Sequence, residues 1–162
     1  MVYGFRLPTD HIDHNPRLAY TRIIPMNTTM KTTGNDQDTK SKDLEEQRLE
    51  PSEVARLIVE VASEKLASDI VMLDLRGLAS FTDYFVVMSA DSSRLIQALE
   101  EGIATTLKES KLSIHRREGT AASGWVLMDC SDVIVHIFGP EEREFFGLER
   151  LWARAPQVVR IL

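Results

Sequence analysis

The chain has 162 residues, 43% of them hydrophobic and 27% charged, with 19 lysines and arginines against 25 aspartates and glutamates, a net charge of −6. That length supports one domain-sized core and leaves little room for a second, and the acidic balance excludes a general nucleic-acid binder, whose affinity comes from cations on phosphates. A single cysteine, Cys130, excludes an internal disulfide and a thiolate metal cluster and fits a reducing compartment, while no apolar run approaches the roughly 20 residues that span a bilayer.

Residues 1–50 are predicted to be a poorly ordered extension. Between Met26 and Glu50 the large apolar side chains are Met26, Met30, Leu44 and Leu49, too few to offset the entropy of ordering the segment. Pro8, Pro16 and Pro25 interrupt the first 25 residues, which lack the continuous apolar stretch of a secretory signal. Two readings of that start stand side by side: a disordered tail, or residues upstream of a start at Met26 or Met30. A cytoplasmic address is expected; the alternative, an organelle stroma or matrix with residues 1–30 as a transit peptide, is opposed by Asp10 and Asp13.

Residues 51–162 are predicted to fold as one domain and hold nearly all the acidity, with 12 basic and 17 acidic residues (12 − 17 = −5). Pro51 and Glu53 open a first helix that carries Val54, Leu57, Ile58 and Val61 at helical spacing and ends near Ala67. Two apolar runs, 70–75 and 84–88, read as strands in a sheet covered on both faces. Ser92 and its neighbours cap a second helix with Leu95, Leu99, Ile103 and Leu107 along its buried stripe, and Gly102 within it marks a close packing contact. Three further strands follow at 112–116, 125–129 and 133–138, the last two close enough for an antiparallel hairpin. A third helix runs from Glu141 to Arg154 with Phe145, Leu148 and Trp152 on its core side, ended by Pro156. The order predicts a single α/β domain with a mixed sheet of about five strands.

Little in this domain points to catalysis. The eight glycines form neither G-x-x-x-x-G-K nor G-x-G-x-x-G. Asp69 and Asp74 lie five apart on one strand and so face opposite ways; Asp69 suits a strand entrance and Asp74 a hydrogen-bonding acid. The pair His11 and His14 falls in the irregular extension, as does Asp36-Gln37-Asp38. His136, within an apolar run, reads as a packed, hydrogen-bonded core residue, and Cys130 beside Asp132 has an acidic setting that raises a thiol pKa. No cofactor or metal is expected.

What remains is a set of aromatic and charged residues: Trp125 after Gly124 and near Glu118, Asp83 and Tyr84 opening the second strand, and Arg143, Phe146 and Glu149 spaced to share one helix face. Aromatics flanked by charge describe interface hot spots better than active sites. The competing reading places Trp125 and Phe146 over the edge of the core.

Asp69 to Leu75, Thr82 to Val87, Ser92-Ser93-Arg94, Glu118-Gly119, Gly124 to Asp129, Asp132 to Phe138 and Arg143 to Trp152, taken in order over residues 52–156, resemble the Iojap-type ribosomal silencing factor family. The resemblance implies a nucleotidyltransferase-like fold without catalytic residues and a non-enzymatic role: translational repression through large ribosomal subunit protein fourteen, a basic protein, with the small subunit kept from joining when nutrients are scarce. It implies a docking surface that includes Trp125 and acidic neighbours such as Glu118 and Asp129, and a homodimer. Ala90 stands where the family commonly has Gly, and Phe146 where it has Tyr, losing a hydroxyl. The alternatives are a degenerate nucleotidyltransferase holding Mg²⁺ and a nucleoside triphosphate on Asp69, Asp74 or Asp129, and an RNA-binding maturation factor, which the charge disfavours.

Overall fold

The computed structural model describes residues 49–162; the predicted extension, with its two histidines and its D-x-D, lies outside them apart from Leu49 and Glu50. Helix α1 (Pro51–Glu64) starts on the expected proline and buries Val54, Ala55, Ile58, Val59, Val61 and Ala62 along one side. It stops three residues earlier than predicted, because Leu66 adopts a left-handed φ of 64° and leaves the helical path. Strands β1 (Ser68–Asp74) and β2 (Tyr84–Ser89) follow, then helix α2 (Ser93–Glu109), whose first turn is capped as expected by Ser92 Oγ accepting from the Leu95 N–H at 3.2 Å. Ile96, Leu99, Ile103 and Leu107 form its buried side. The close contact at Gly102 is the Lys65 side chain, which lies where a Cβ would stand.

The third strand is displaced from its expected place: residues 112–115 form an extended link, with Leu112 and Ile114 against the core, and β3 spans Arg116–Thr120. Alternating apolar residues are not enough to make a strand without a partner, and pairing with β4 begins only where the His115 N–H reaches the Asp129 carbonyl. Strands β4 (Trp125–Asp129) and β5 (Val133–Phe138) form the antiparallel hairpin as predicted. The last predicted helix is broken into α3 (Pro140–Phe146) and α4 (Leu148–Leu151) by Gly147, whose φ of 52° ends the first helix. Beyond Pro156 the chain does not trail off but adds β6 (Gln157–Ile161) beside β1.

The mixed sheet therefore has six strands rather than about five, in the order β3-β4-β5-β2-β1-β6. Only β2 and β5 run parallel; the other pairs are antiparallel. Period-two geometry sorts its side chains. Ile70, Met72, Tyr84, Val86, Met88, Val126, Met128, Val135 and Ile137 join α1 and α2 in the main core. The opposite face carries Val71, Leu73, Phe85, Val87, Trp125, Leu127, Ile134, His136 and Phe138, all buried. Among the described residues no helix is long and apolar enough to cross a membrane.

Candidate functional site

Aromatic rings dominate that second face. Phe85 meets Trp152 edge-on at 5.7 Å and His136 at 4.9 Å. His136 stacks on Phe138 and Trp125 (5.8 and 5.9 Å), and Trp125 in turn lies against Phe138 (5.3 Å) and Phe146 (4.4 Å). Phe146 then carries Phe145 edge-to-face at 5.2 Å. The layer thus runs from the sheet centre to α3, and it surfaces at Phe145, which is 60% exposed.

His136 is a packed core residue, as its apolar run suggests. The Trp125 indole N–H donates to its Nδ1 at 3.3 Å, which makes Nδ1 the acceptor and puts the ring proton on Nε2. Burial alone pushes its pKa down to about 3. Because the unfolded imidazole titrates near 6.5, the neutral ring contributes stability above that pH, and the contribution is lost as pH falls from 6.5 toward the folded value. Each pH unit in that window costs about 1.4 kcal/mol. Urea unfolding at pH 6.5 and pH 5 is expected to show a loss of about 2 kcal/mol that is absent from His136→Gln; equal pH slopes for the two proteins would remove His136 as its source.

Arg143 is the other ordering centre. Its guanidinium is buried, with a side-chain exposure of 9%. Nη1 donates to the Asp69 carbonyl oxygen (2.5 Å) and to Ser89 Oγ (2.9 Å), and Nε and Nη2 donate to Glu149 Oε1 (3.0 and 2.5 Å). The Asp69 carboxylate lies 3.3 Å from Nη2 and is shared with Arg160 at 3.0 Å. One cation therefore fastens α3 and α4 to the adjoining ends of β1 and β2. Asp69 reaches it from a β-bulge with a left-handed φ of 45°.

The residues singled out by sequence separate into groups. Trp125, Arg143, Phe146 and Glu149 come together at the end of the sheet where β5 and β2 finish. Asp83, Tyr84 and Asp129 lie at the opposite end, since Asp129 is four residues along β4 from Trp125, about 13 Å at strand rise. Tyr84 moreover faces the helices and is buried, with the Arg76 guanidinium over its ring at 5.2 Å. Glu118 sits mid-way along the edge strand and pairs with Arg116. Trp125 is only 6% exposed, so it packs within the layer. Arg143 and Glu149 do meet, but across the Gly147 break and not on one continuous helix.

That break also inverts the predicted core stripe of the last helix. Leu148 is buried and Trp152 half-buried as expected, whereas Phe145 turns outward and Phe146 inward. Phe145 was hidden from sequence reasoning by this swap; its adjacency to Glu141, Glu142 and Glu144 was the available signal.

The carboxylates of the enzymatic alternative do not converge. Asp69 is at one end of the sheet, Asp129 and Asp74 are at the other end on opposite faces, and Asp74 is paired with Arg76 at 2.6 Å, which lowers its pKa. Cys130 is buried, and its thiol is pushed up to about 12, chiefly by burial and then by the charge of Asp129, not by that of Asp132 as its sequence neighbourhood suggested.

The described residues form a single mixed α/β domain with an aromatic layer on the sheet face opposite α1 and α2. Residues 48–161 match the family described as "Ribosomal silencing factor during starvation", and the chain belongs to this ribosomal silencing factor (RsfS) family, a non-enzymatic regulatory family. It is 34% identical over 106 residues to the ribosomal silencing factor of Halalkalibacterium halodurans, covering 65% of this chain and 91% of that protein. It is 33% identical over 101 residues to the chloroplastic protein Iojap of Zea mays, covering 62% of this chain and 44% of that one. A crystal structure of a Chromobacterium violaceum protein superposes with a TM-score of 0.63 at 31% identity, covering 70% of this chain and 94% of that chain.

Proposed function

We propose that this chain represses translation by binding the large ribosomal subunit through a basic ribosomal protein, large-subunit protein fourteen, and so blocking the small subunit from joining when nutrients are limiting. The observation that carries the reading is family membership across the whole folded domain. The excess of 17 acids over 12 bases in residues 51–162 supports a basic partner, since opposite charge speeds encounter and is screened by salt. Phe146, Arg143 and Glu149, backed by Trp125, shape the docking end, and Glu118 and Asp129 lie on the same sheet face along β3 and β4, whereas Asp83 and Tyr84, at the opposite end with Tyr84 buried against the helices, stand outside it.

Co-sedimentation with purified subunits tests this. The protein is expected to travel with the large subunit, to lower the fraction of joined ribosomes as it is titrated, and to lose affinity with added salt. If joined ribosomes form undiminished at saturating protein, the repressor reading fails. A second reading, an assembly role, is favoured by the mouse relative, 29% identical over 99 residues, named "Mitochondrial assembly of ribosomal large subunit protein 1"; binding to immature large subunits without any effect on joining would select it.

A further inference from the structure

We infer that Phe145 is the apolar anchor of the docking surface, seated in an apolar recess of a basic protein partner, with the glutamates of α3 as its charged rim. The inference rests on the proposed function and names the contact residue at that site. Its starting point is an asymmetry within one helix. Phe146 is committed to the interior, against Trp125 and Phe138. Its neighbour Phe145 is 60% exposed and touches the aromatic layer only through the edge-to-face contact with Phe146, whose interplanar angle is 88°.

That contact orients the Phe145 ring before any partner arrives, so binding immobilises little additional freedom. The geometry around it selects the partner's charge. Glu141 precedes Phe145 by four residues and shares its side of α3, and Glu144 is exposed beside it, while the half-buried Glu142 lays its carboxylate back over Gly124 and Gly139. Arg143, the cation within this helix, does not offset them, because its guanidinium is buried and spent on Glu149 and Asp69. Arg150 is the cation at the margin, and it is held by the Glu144 carbonyl at 2.7 Å. An exposed aromatic side chain inside a rim of carboxylates fits a basic protein surface with an apolar pocket. It does not fit nucleic acid, whose phosphates the glutamates would repel.

The position also permits a clean test, since Phe145 is 60% exposed and its truncation is expected to leave the urea unfolding midpoint unchanged. Binding of the full chain to purified large subunits is measured for wild type, Phe145→Ala, Phe145→Leu and Glu141→Lys, with a urea melt of each. Phe145→Ala is expected to bind about 30-fold more weakly with an unchanged melt. Phe145→Leu should stay within about threefold of wild type, and Glu141→Lys should bind more weakly with a flatter salt dependence. If wild type binds and Phe145→Ala binds equally well, the anchor assignment falls while the proposed function stands. If wild type itself does not bind large subunits, both fall together.

Discussion

Replacing Arg143 by Ala is expected to lower the unfolding free energy by about 3 kcal/mol, the lower end of what breaking a buried ion pair costs. The lower end applies because the carboxylates left behind are not sealed from water: Glu149 has 24% side-chain exposure and Asp69 38%. What is lost is geometric as much as electrostatic. The guanidinium fork serves the Asp69 carbonyl, Ser89 Oγ and Glu149 at once, a set of directions that one ammonium cannot reproduce. Arg143→Lys is therefore expected to recover less than half of the loss. Removing both charges in Arg143→Met/Glu149→Leu should be less damaging than Arg143→Ala, because no uncompensated carboxylate then remains on α4. Equilibrium urea unfolding checks all three variants, and a loss under about 1 kcal/mol for Arg143→Ala would mean that α3 and α4 are held by packing alone.

Features of this domain that depend on local chemistry were legible in the sequence. The Ser92 cap followed from a hydroxyl placed before an apolar periodicity, and β2 and β5 from continuous apolar runs, which are buried at every position. Features that depend on distant partners were not legible. Strand β6 shows no buried face of its own and is a strand because β1 offers it an edge. The break at Gly147 looked like helix because Leu148, Glu149 and Arg150 are good helix formers, yet Gly is the residue best able to take the left-handed turn that ends α3. With α3 freed from the line of α4 by that turn, and tied down through Arg143, Phe146 packs on Trp125 and Phe138 while Phe145 faces the solvent. The Arg143 hub joins residues 54 and 74 positions away, beyond any helical or strand period. Trp125 stood out in the sequence as an aromatic beside Gly124 and near charge, but only packing distinguishes a ring that supports a surface from a ring that is the surface.

Trp125→Ala is expected to cost about 3–5 kcal/mol, the range for truncating a buried large aromatic, with more added because the donor to His136 Nδ1 disappears from a buried site. A domain of this size has about 5–15 kcal/mol in all, so the variant should melt far earlier and be partly unfolded at moderate urea. Loss of large-subunit binding by Trp125→Ala would then report a collapsed aromatic layer rather than a missing contact. Trp125→Phe separates the two. It keeps a ring against Phe138 and Phe146 and loses the indole N–H, for an expected cost of about 1–2 kcal/mol. If Trp125 acts by supporting Phe146 and through it Phe145, Trp125→Phe should bind large subunits within about threefold of wild type once its folded fraction is taken into account. The same variant folded to more than nine-tenths by circular dichroism yet bound about 30-fold more weakly would place the indole itself in contact with the partner. Burial at 6% exposure weighs against that result, because a direct contact would require α3 to swing away from Trp125, and Arg143, fixed to Asp69, Ser89 and Glu149, holds it in place.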